Sequence, residues 1–398
     1  MSRSMTIGLT GPGAAAVAVL ALALAGCGGG SGGAPGAAST GRLEARAPAP
    51  AGTVAAPAAA APARPASARG TAAKLPTSIE RSAARLVLIG FGGTEADAPL
   101  LARIAAHEWG GVMLEPGNGS SPQQVAGLVG QLRGAALAAH HEAPLIGAAQ
   151  MGGENDAVPV GSRAQSAAAD AAAAQRSALG SAKVLRTLGI RMVFAPVADT
   201  STPGGPWEGL AFSDDAGTVT AMAGAAVAGW KQGHVAPVPG HFPGEGAASG
   251  DPVEGPATVG LSMAELTARD LRPFAALALH APAIQLSSAT YVAFDGVTPA
   301  TLLPGVVALL RTTLKFQGVV VSGDLAAASL ATGRPVADLA VDALKAGCDL
   351  LWIPGGADDQ DAAQRAIAHA LRTGALPKSR VADALARMDR LRGDYGVR

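Results

Sequence analysis

His234 to Gly255, HVAPVPGHFPGEGAASGDPVEG, is the stretch on which the reading of the chain turns. His234 to Val238 is a short apolar run of the kind that makes a buried strand. It empties into a loop crowded with Gly and Pro, where the backbone must turn sharply. The same unit recurs along the chain. Strands are expected at Leu86 to Phe91, Gly111 to Glu115, Pro144 to Ala149, Met192 to Val197, His234 to Val238, Ala283 to Ser287, Gly318 to Ser322 and Asp349 to Ile353. Their apolar residues are continuous rather than alternating, which means burial on both faces, as in parallel sheets covered by helices. Helical spacing fills the gaps, at Thr94 to His107, Ser121 to His140, Ser162 to Leu188, Asp214 to Gln232, Ser262 to His280, Pro299 to Leu314 and Pro335 to Ala346, with a last segment at Asp359 to Leu371. Ser121-Pro122-Gln123-Gln124 and Ser262-Met263-Ala264-Glu265 each fit a capping box. This alternation predicts an α/β fold, a single (β/α)8 barrel. An open doubly wound sheet is the rival, but it usually uses fewer strands and a Gly-rich phosphate turn, of which Gly90-Phe91-Gly92-Gly93 is a poor version. A barrel keeps its site at the C-terminal ends of the strands, which selects the residues to inspect.

The N-terminal part of the 398 residues does not belong to that barrel. Arg3 is a thin positive region, and Ala14 to Ala25 is an apolar core too short to span a bilayer comfortably. Leu24-Ala25-Gly26-Cys27 looks like a bacterial lipobox. Residues 1–26 then form a lipoprotein signal peptide, cleavage falls before Cys27, and lipid is attached to its sulfur. The plainer reading is a secretory signal with an accidental Cys. Residues 27–74 are nearly all Gly, Ala, Pro and Ser, with no apolar face to bury, and read as a disordered tether. Residues 75–398 make one domain. The expected location is the bacterial cell envelope, outside the cytoplasm and lipid-anchored to the membrane. Cys348 is left alone in the mature chain, so no internal disulfide is expected.

Lys plus Arg and Asp plus Glu are 30 each, and no basic cluster or aromatic-basic interleaving is present, so no nucleic-acid partner is expected. The seven histidines show no HExxH and the cysteines are not clustered. No metal, flavin or nicotinamide site is expected.

The central loop resembles the signature of family 3 glycoside hydrolases, in particular the single-domain beta-N-acetylhexosaminidases. There a strand ends in Lys-His-Phe-Pro-Gly-His-Gly-Asp-Thr, followed by Asp-Ser-His. His241-Phe242-Pro243-Gly244 and Gly246 match. Gly240 stands in place of the sugar-binding Lys, Ala247 in place of Asp, and Val253 in place of the general acid/base His, whose carboxylate partner position is kept as Asp251. Other strand ends carry the same mixture. Gly90-Phe91-Gly92-Gly93-Thr94 and Gly110-Gly111-Val112-Met113-Leu114 match the family's opening. The third strand keeps the glycines of its sugar-holding motif, with Ala149 for Asp and Glu154 for Arg. Phe194-Ala195-Pro196-Val197-Ala198-Asp199 matches closely, while Leu210 replaces a substrate-contacting Arg. The seventh strand, Gly318-Val319-Val320-Val321-Ser322-Gly323-Asp324, has Gly323 at the nucleophile position and keeps only the second acid, Asp324.

The resemblance implies a glycosidase scaffold whose inherited nucleophile and acid/base are replaced. Retaining hydrolysis needs a carboxylate at the anomeric carbon and a second group to protonate the leaving oxygen. The replacement set would be Asp324 as nucleophile with Asp251, Glu254 or Glu245 as proton donor. Asp199, His241 and Glu245 are the substrate-binding candidates. Three of these have a structural alternative: a helix cap for Asp324, a cap or turn bond for Asp199, and a backbone hydrogen bond for His241. Two functions follow. One is a catalytically degenerate envelope lipoprotein that binds glycan, a peptidoglycan fragment or an envelope protein; the other is an O-glycosyl hydrolase acting on amino-sugar or glucoside substrates through non-standard acids.

Overall fold

The structure is a computed structural model and describes residues 75–397. The signal peptide, Cys27 and the tether lie outside the described residues. Eight parallel strands form one sheet: β1 (Val87–Ile89), β2 (Gly111–Leu114), β3 (Leu145–Ala149), β4 (Met192–Phe194), β5 (Ala236–Pro237), β6 (Ala283–Gln285), β7 (Val319–Asp324) and β8 (Leu350–Ile353). Their order is β5-β4-β3-β2-β1-β8-β7-β6. The seam between β5 and β6 is nearly closed by the chain just after β5. Phe242 bridges Leu286, the Gln285 N–H donates to Pro239 O at 3.0 Å, and the Phe242 N–H donates to Gln285 O at 2.8 Å. The result is the (β/α)8 barrel that the repeated apolar runs predict.

Most of the strands are shorter than the apolar runs that announce them. β5 shows why: Pro237 and Pro239 carry no N–H, so the ladder is interrupted where the run is still apolar. β7 runs past its expected end, so Asp324 is its last residue. A small parallel pair that the sequence does not announce, Thr258–Val259 with Thr290–Tyr291, braces the loop after β5.

Local chemistry also redraws several helices. The segment from Ser262 to His280 is two helices, Met263–Ala268 and Leu271–Leu277. Pro273 cannot donate to the Arg269 carbonyl four residues back, and Arg269 is drawn to φ −118° and ψ −77°. The helix expected from Ser162 begins only at Ala171, capped by Asp170. Ahead of it Gln165 clamps the end of β4, accepting from the Val197 N–H at 3.0 Å and donating to its carbonyl at 2.8 Å. Ser262 and Glu265 complete their capping box. At Ser121 only half forms, because the Gln124 side chain accepts from the Ser120 N–H at 2.9 Å instead. Three helices lie outside the expected set: Ile79–Ala84, Leu325–Thr332 and Lys378–Asp394. Among the described residues no helix is long and apolar enough to cross a membrane.

The floor of the barrel is held by charge. Asp349, fully buried at the start of β8, accepts from the Val320 N–H at 3.0 Å and pairs with Arg311 at 2.5 Å, with Arg387 at 3.2 Å and with Arg380. Such a buried acid is tolerable because four donors replace its water. With the floor fixed, the C-terminal strand ends are left to carry function.

Candidate functional site at the barrel mouth

Asp199 lies just beyond β4 and is fully buried. Its Oδ2 accepts from the His241 backbone N–H at 3.0 Å and faces His241 Nδ1 at 2.8 Å; its Oδ1 accepts from the Glu245 N–H at 2.6 Å. One carboxylate thus fixes both ends of the His241–Glu245 turn. Trp207 stacks on the His241 ring, centroids 4.3 Å apart, and its Nε1–H donates to Glu245 Oε1 at 3.3 Å. The Ser287 hydroxyl donates to the other Glu245 oxygen. Gly244 makes the turn possible: its φ is +123°, and a Cβ there would overlap the Asp270 side chain.

The charges of this unit follow from its contacts. Burial works to lower the His241 imidazolium, but Asp199 in contact and the charges of Glu245 and Asp251 outweigh it and hold the ring up to about 9. Protonated His241 uses Nδ1 toward Asp199, which leaves Nε2–H as a donor at the hollow that His241 lines. Burial raises the Glu245 carboxyl, with Asp199 and Asp251 adding to it and His241 opposing.

That hollow, of about 110 Å³, is lined by Met113, Ala149, Met151, Phe194, Val238 and Trp352 on its apolar side. Its polar groups are His241, Gln285 and Glu115. Glu115 follows β2, and burial, reinforced by the negative charge of Asp324, pushes its carboxyl up to about 7. Glu115 Oε2 and the edge of the Trp352 ring share one spot: a Cβ on Gly90 would stand 3.3 Å from the former and 3.0 Å from the latter.

The sequence candidates are distributed unevenly around this mouth. Asp199, His241 and Glu245 form one bonded unit. Asp324 caps the helix Leu325–Thr332, its Oδ1 accepting from the Ala326 N–H at 2.7 Å and the Ala327 N–H at 2.9 Å. Burial raises its carboxyl against those bonds, and Asp251 adds to the rise. Asp251 is half-buried and accepts from the Val253 N–H at 2.9 Å, yet its charge reaches Asp324, His241 and Glu245. Glu254 is exposed on the same loop and is joined to this unit by no side-chain hydrogen bond among the described residues. Val253, 62% exposed, points the acid/base position toward solvent as an alkyl group.

Gly323 is the tightest of the replaced positions. A Cβ there would overlap Ser288 Oγ and stand 3.0 Å from the Leu286 carbonyl oxygen. Ser288 in turn donates to the Asp324 carbonyl at 3.0 Å. A side chain at this position would have to displace the Ser288 hydroxyl from that bond. Sequence reasoning missed Glu115, Trp207, Gln285 and Trp352 as mouth residues. Glu115 alone had a signal, as an acid that ends an apolar strand run.

Known proteins share this architecture. The profile of the glycosyl hydrolase family 3 N terminal domain matches residues 79–391. Beta-hexosaminidase LpqI of Mycobacterium tuberculosis is 35% identical over 219 residues, which cover 52% of this chain and 56% of that relative's length. Among solved structures, a family 3 beta-N-acetylglucosaminidase from Paenibacillus superposes with a TM-score of 0.76 at 30% identity, over 81% of this chain and 63% of the other. Beta-N-acetylhexosaminidase from Beutenbergia cavernae superposes with a TM-score of 0.71 at 27% identity, over 80% of this chain and all of the other (100%). The chain belongs to the family defined by the glycosyl hydrolase family 3 N terminal domain.

Proposed function

We propose that this barrel is a glycan-binding relative of the beta-hexosaminidases that no longer hydrolyses its ligand. The observation that carries the reading is Gly323, where the position of the family nucleophile has no carboxylate and a Cβ would crowd the Ser288 hydroxyl and the Leu286 carbonyl. Val253 at the acid/base position adds to it, since an alkyl group can neither give nor take a proton. The Asp199–His241–Glu245 unit persists as a rigid, hydrogen-bonding wall that suits recognition. The ligand class is a saccharide or peptidoglycan fragment, or an envelope protein that presents one. The lipobox reading of Leu24 to Cys27 supports placement at the envelope through a lipid on Cys27.

The test has two arms. With a chromogenic N-acetylglucosaminide or glucoside, the full chain is expected to release no chromophore above background, while calorimetry with muropeptide fragments registers binding. Turnover abolished by Asp324→Ala would overturn the reading. Palmitate labelling that persists in Cys27→Ser would remove the anchor.

One observation favours hydrolysis by other acids. Burial and the charge of Asp324 push the Glu115 carboxyl up to about 7, in the range where an acid can exchange a proton near neutral pH, and Asp324 is a second carboxyl at the mouth. Turnover that Glu115→Gln and Asp324→Asn each remove would establish this second reading.

A further inference from the structure

A second cavity, of about 450 Å³, lies beside the mouth, with Met151 and Pro196 lining both spaces. Its wall is built from the helices Ala171–Thr187 and Ala216–Gln232 and from the residues just after β3 and β4, and the loop 161–169 forms the remaining side. Ala173, Ala174, Ser177, Ala178 and Ser181 share one face of the first helix, so the cavity follows it for about 12 Å. A Cβ on Gly229 would stand 3.0 Å from Ala178 Cβ, and this close crossing sets Trp230 at the Ser181 end. Alanines leave a volume there that larger side chains would fill in an ordinary core.

The loop is held over this space by bonds that point elsewhere. Gln165 spends its side-chain amide on Val197, and its own N–H donates to Met151 O at 3.2 Å. The Ser162 hydroxyl donates to Asp156, and the Ser166 hydroxyl to Gly209 O at 2.5 Å. Gly152 lets the loop come this close, since a Cβ there would overlap the Arg163 carbonyl oxygen. Gln150 is spent in the same way, donating to Val158 O at 3.0 Å and accepting from its N–H at 3.3 Å. The cavity is therefore preformed and its amides are occupied. A saccharide ring needs converging polar partners and finds only the hydroxyls of Ser177 and Ser181. An apolar chain needs no more than the surfaces of the alanines, Met151, Phe212 and Trp230.

Arg163 is the one charged side chain in that wall among the described residues. It is exposed and pairs with no carboxylate among them. An unpaired guanidinium at the rim of an apolar slot matches a ligand with an apolar tail and an anionic head.

We propose that this cavity binds a single-chain anionic amphiphile, its acyl chain laid along the helix Ala171–Thr187 toward Trp230 and its carboxylate or phosphate at Arg163. The inference is independent of what binds at the mouth.

Calorimetry on the full chain with decanoate, decyl phosphate and decanol, below micelle-forming concentrations, tests it. Both anions are expected to bind, and decanol at least about threefold more weakly. From hexanoate to decanoate the affinity should rise by up to about fourfold per methylene, then level off toward palmitate as the 12 Å wall ends. Ala174→Leu, which fills the cavity, should weaken decanoate at least about tenfold. Ser177→Leu, at an exposed helix position, should do the same without burdening the fold. Arg163→Gln should bring both anions down to the level of decanol. Decanoate binding more tightly assigns a free fatty acid, and decyl phosphate binding more tightly a phosphate-headed lipid. No binding of either anion, or binding unchanged in both leucine variants, would overturn the inference. Decanol binding as tightly as the anions, or affinity climbing undiminished to palmitate, would overturn it as well.

Discussion

His241 meets the Asp199 carboxylate twice, through its ring Nδ1 at 2.8 Å and through its own backbone N–H at 3.0 Å. Ring and main chain are thus locked to a single oxygen, so the imidazolium cannot reorient without breaking the turn that carries it. This contact leads the interactions that hold the ring up to about 9 against burial. Asp199→Asn should bring the His241 titration, followed by imidazole proton shifts, down toward or below its ordinary value of about 6.5. The sign of the linkage is fixed by the raised value. The pair stabilises fully below about pH 6.5, where unfolded His is already protonated, and this stability is lost as pH rises toward 9. The parent should lose denaturation midpoint over that window, whereas the variant should show a flatter profile and a lower midpoint. An unchanged His241 titration would refute the account.

Asp270 sits under the Gly244 turn with both carboxyl oxygens buried and without hydrogen-bond partners. Arg269 is no remedy: its Nε is 4.0 Å away, and Nη2 donates to Thr200 O, Ser201 O and Thr202 Oγ at 2.6–2.7 Å. Burial pushes the Asp270 carboxyl up to about 7, helped by Asp199 and opposed by Arg269. The folded chain therefore keeps a proton there that the unfolded chain gives up near pH 4. Stability falls as pH rises from about 4 to 7. Asp270→Asn should remove that penalty, on the order of 2–4 kcal/mol above pH 7 and close to nothing at pH 4. Urea midpoints at pH 4 and pH 8 decide it, and an equal change at both would refute it.

Gly323→Asp restores the inherited nucleophile in sequence but not in space. Its Cβ would push into Ser288 Oγ and the Leu286–Ser287 main chain. Overpacking of this kind should destabilise by about 1–3 kcal/mol. No hydrolysis of a chromogenic N-acetylglucosaminide is expected from the single change, because Val253 still offers no proton donor. Activity regained with undiminished stability would show that the Ser288 hydroxyl yields without cost.

The barrel was legible because its signal is local: continuous apolar runs such as Gly111 to Leu114 must be buried on both faces wherever they lie. Strand ends were less legible, because prolines such as Pro237 and Pro239 satisfy the apolar pattern while breaking the ladder. At the mouth, the sequence named Asp199, His241 and Glu245 but left each between two roles. What joins them is contact across 42 and 46 residues, which no spacing rule encodes. Trp207, Gln285 and Trp352 were illegible for the same reason. An aromatic ring or an amide reads as packing until the opposite wall is known.

Asp349 gives the test of the barrel floor. It is fully buried, and its carboxylate gathers Arg311, Arg380 and Arg387 from two separate stretches together with the Val320 N–H. Two of these arginines lie on the C-terminal helix Lys378–Asp394, so the acid ties that helix to the sheet. Asp349→Ala leaves three guanidinium groups facing one another with no counter-charge, Arg311 being largely buried already. Removing one partner of a buried ionic cluster typically destabilises by about 3–5 kcal/mol. The variant should show a lowered urea midpoint and early hydrogen exchange in the C-terminal helix. The glycan binding proposed above should be unchanged in the molecules that remain folded, since the floor and the mouth lie at opposite ends of the strands. Adding Arg311→Met should recover part of the loss by relieving the repulsion. A midpoint within about 0.5 kcal/mol of the parent would mean that hydrophobic packing alone holds the helix in place.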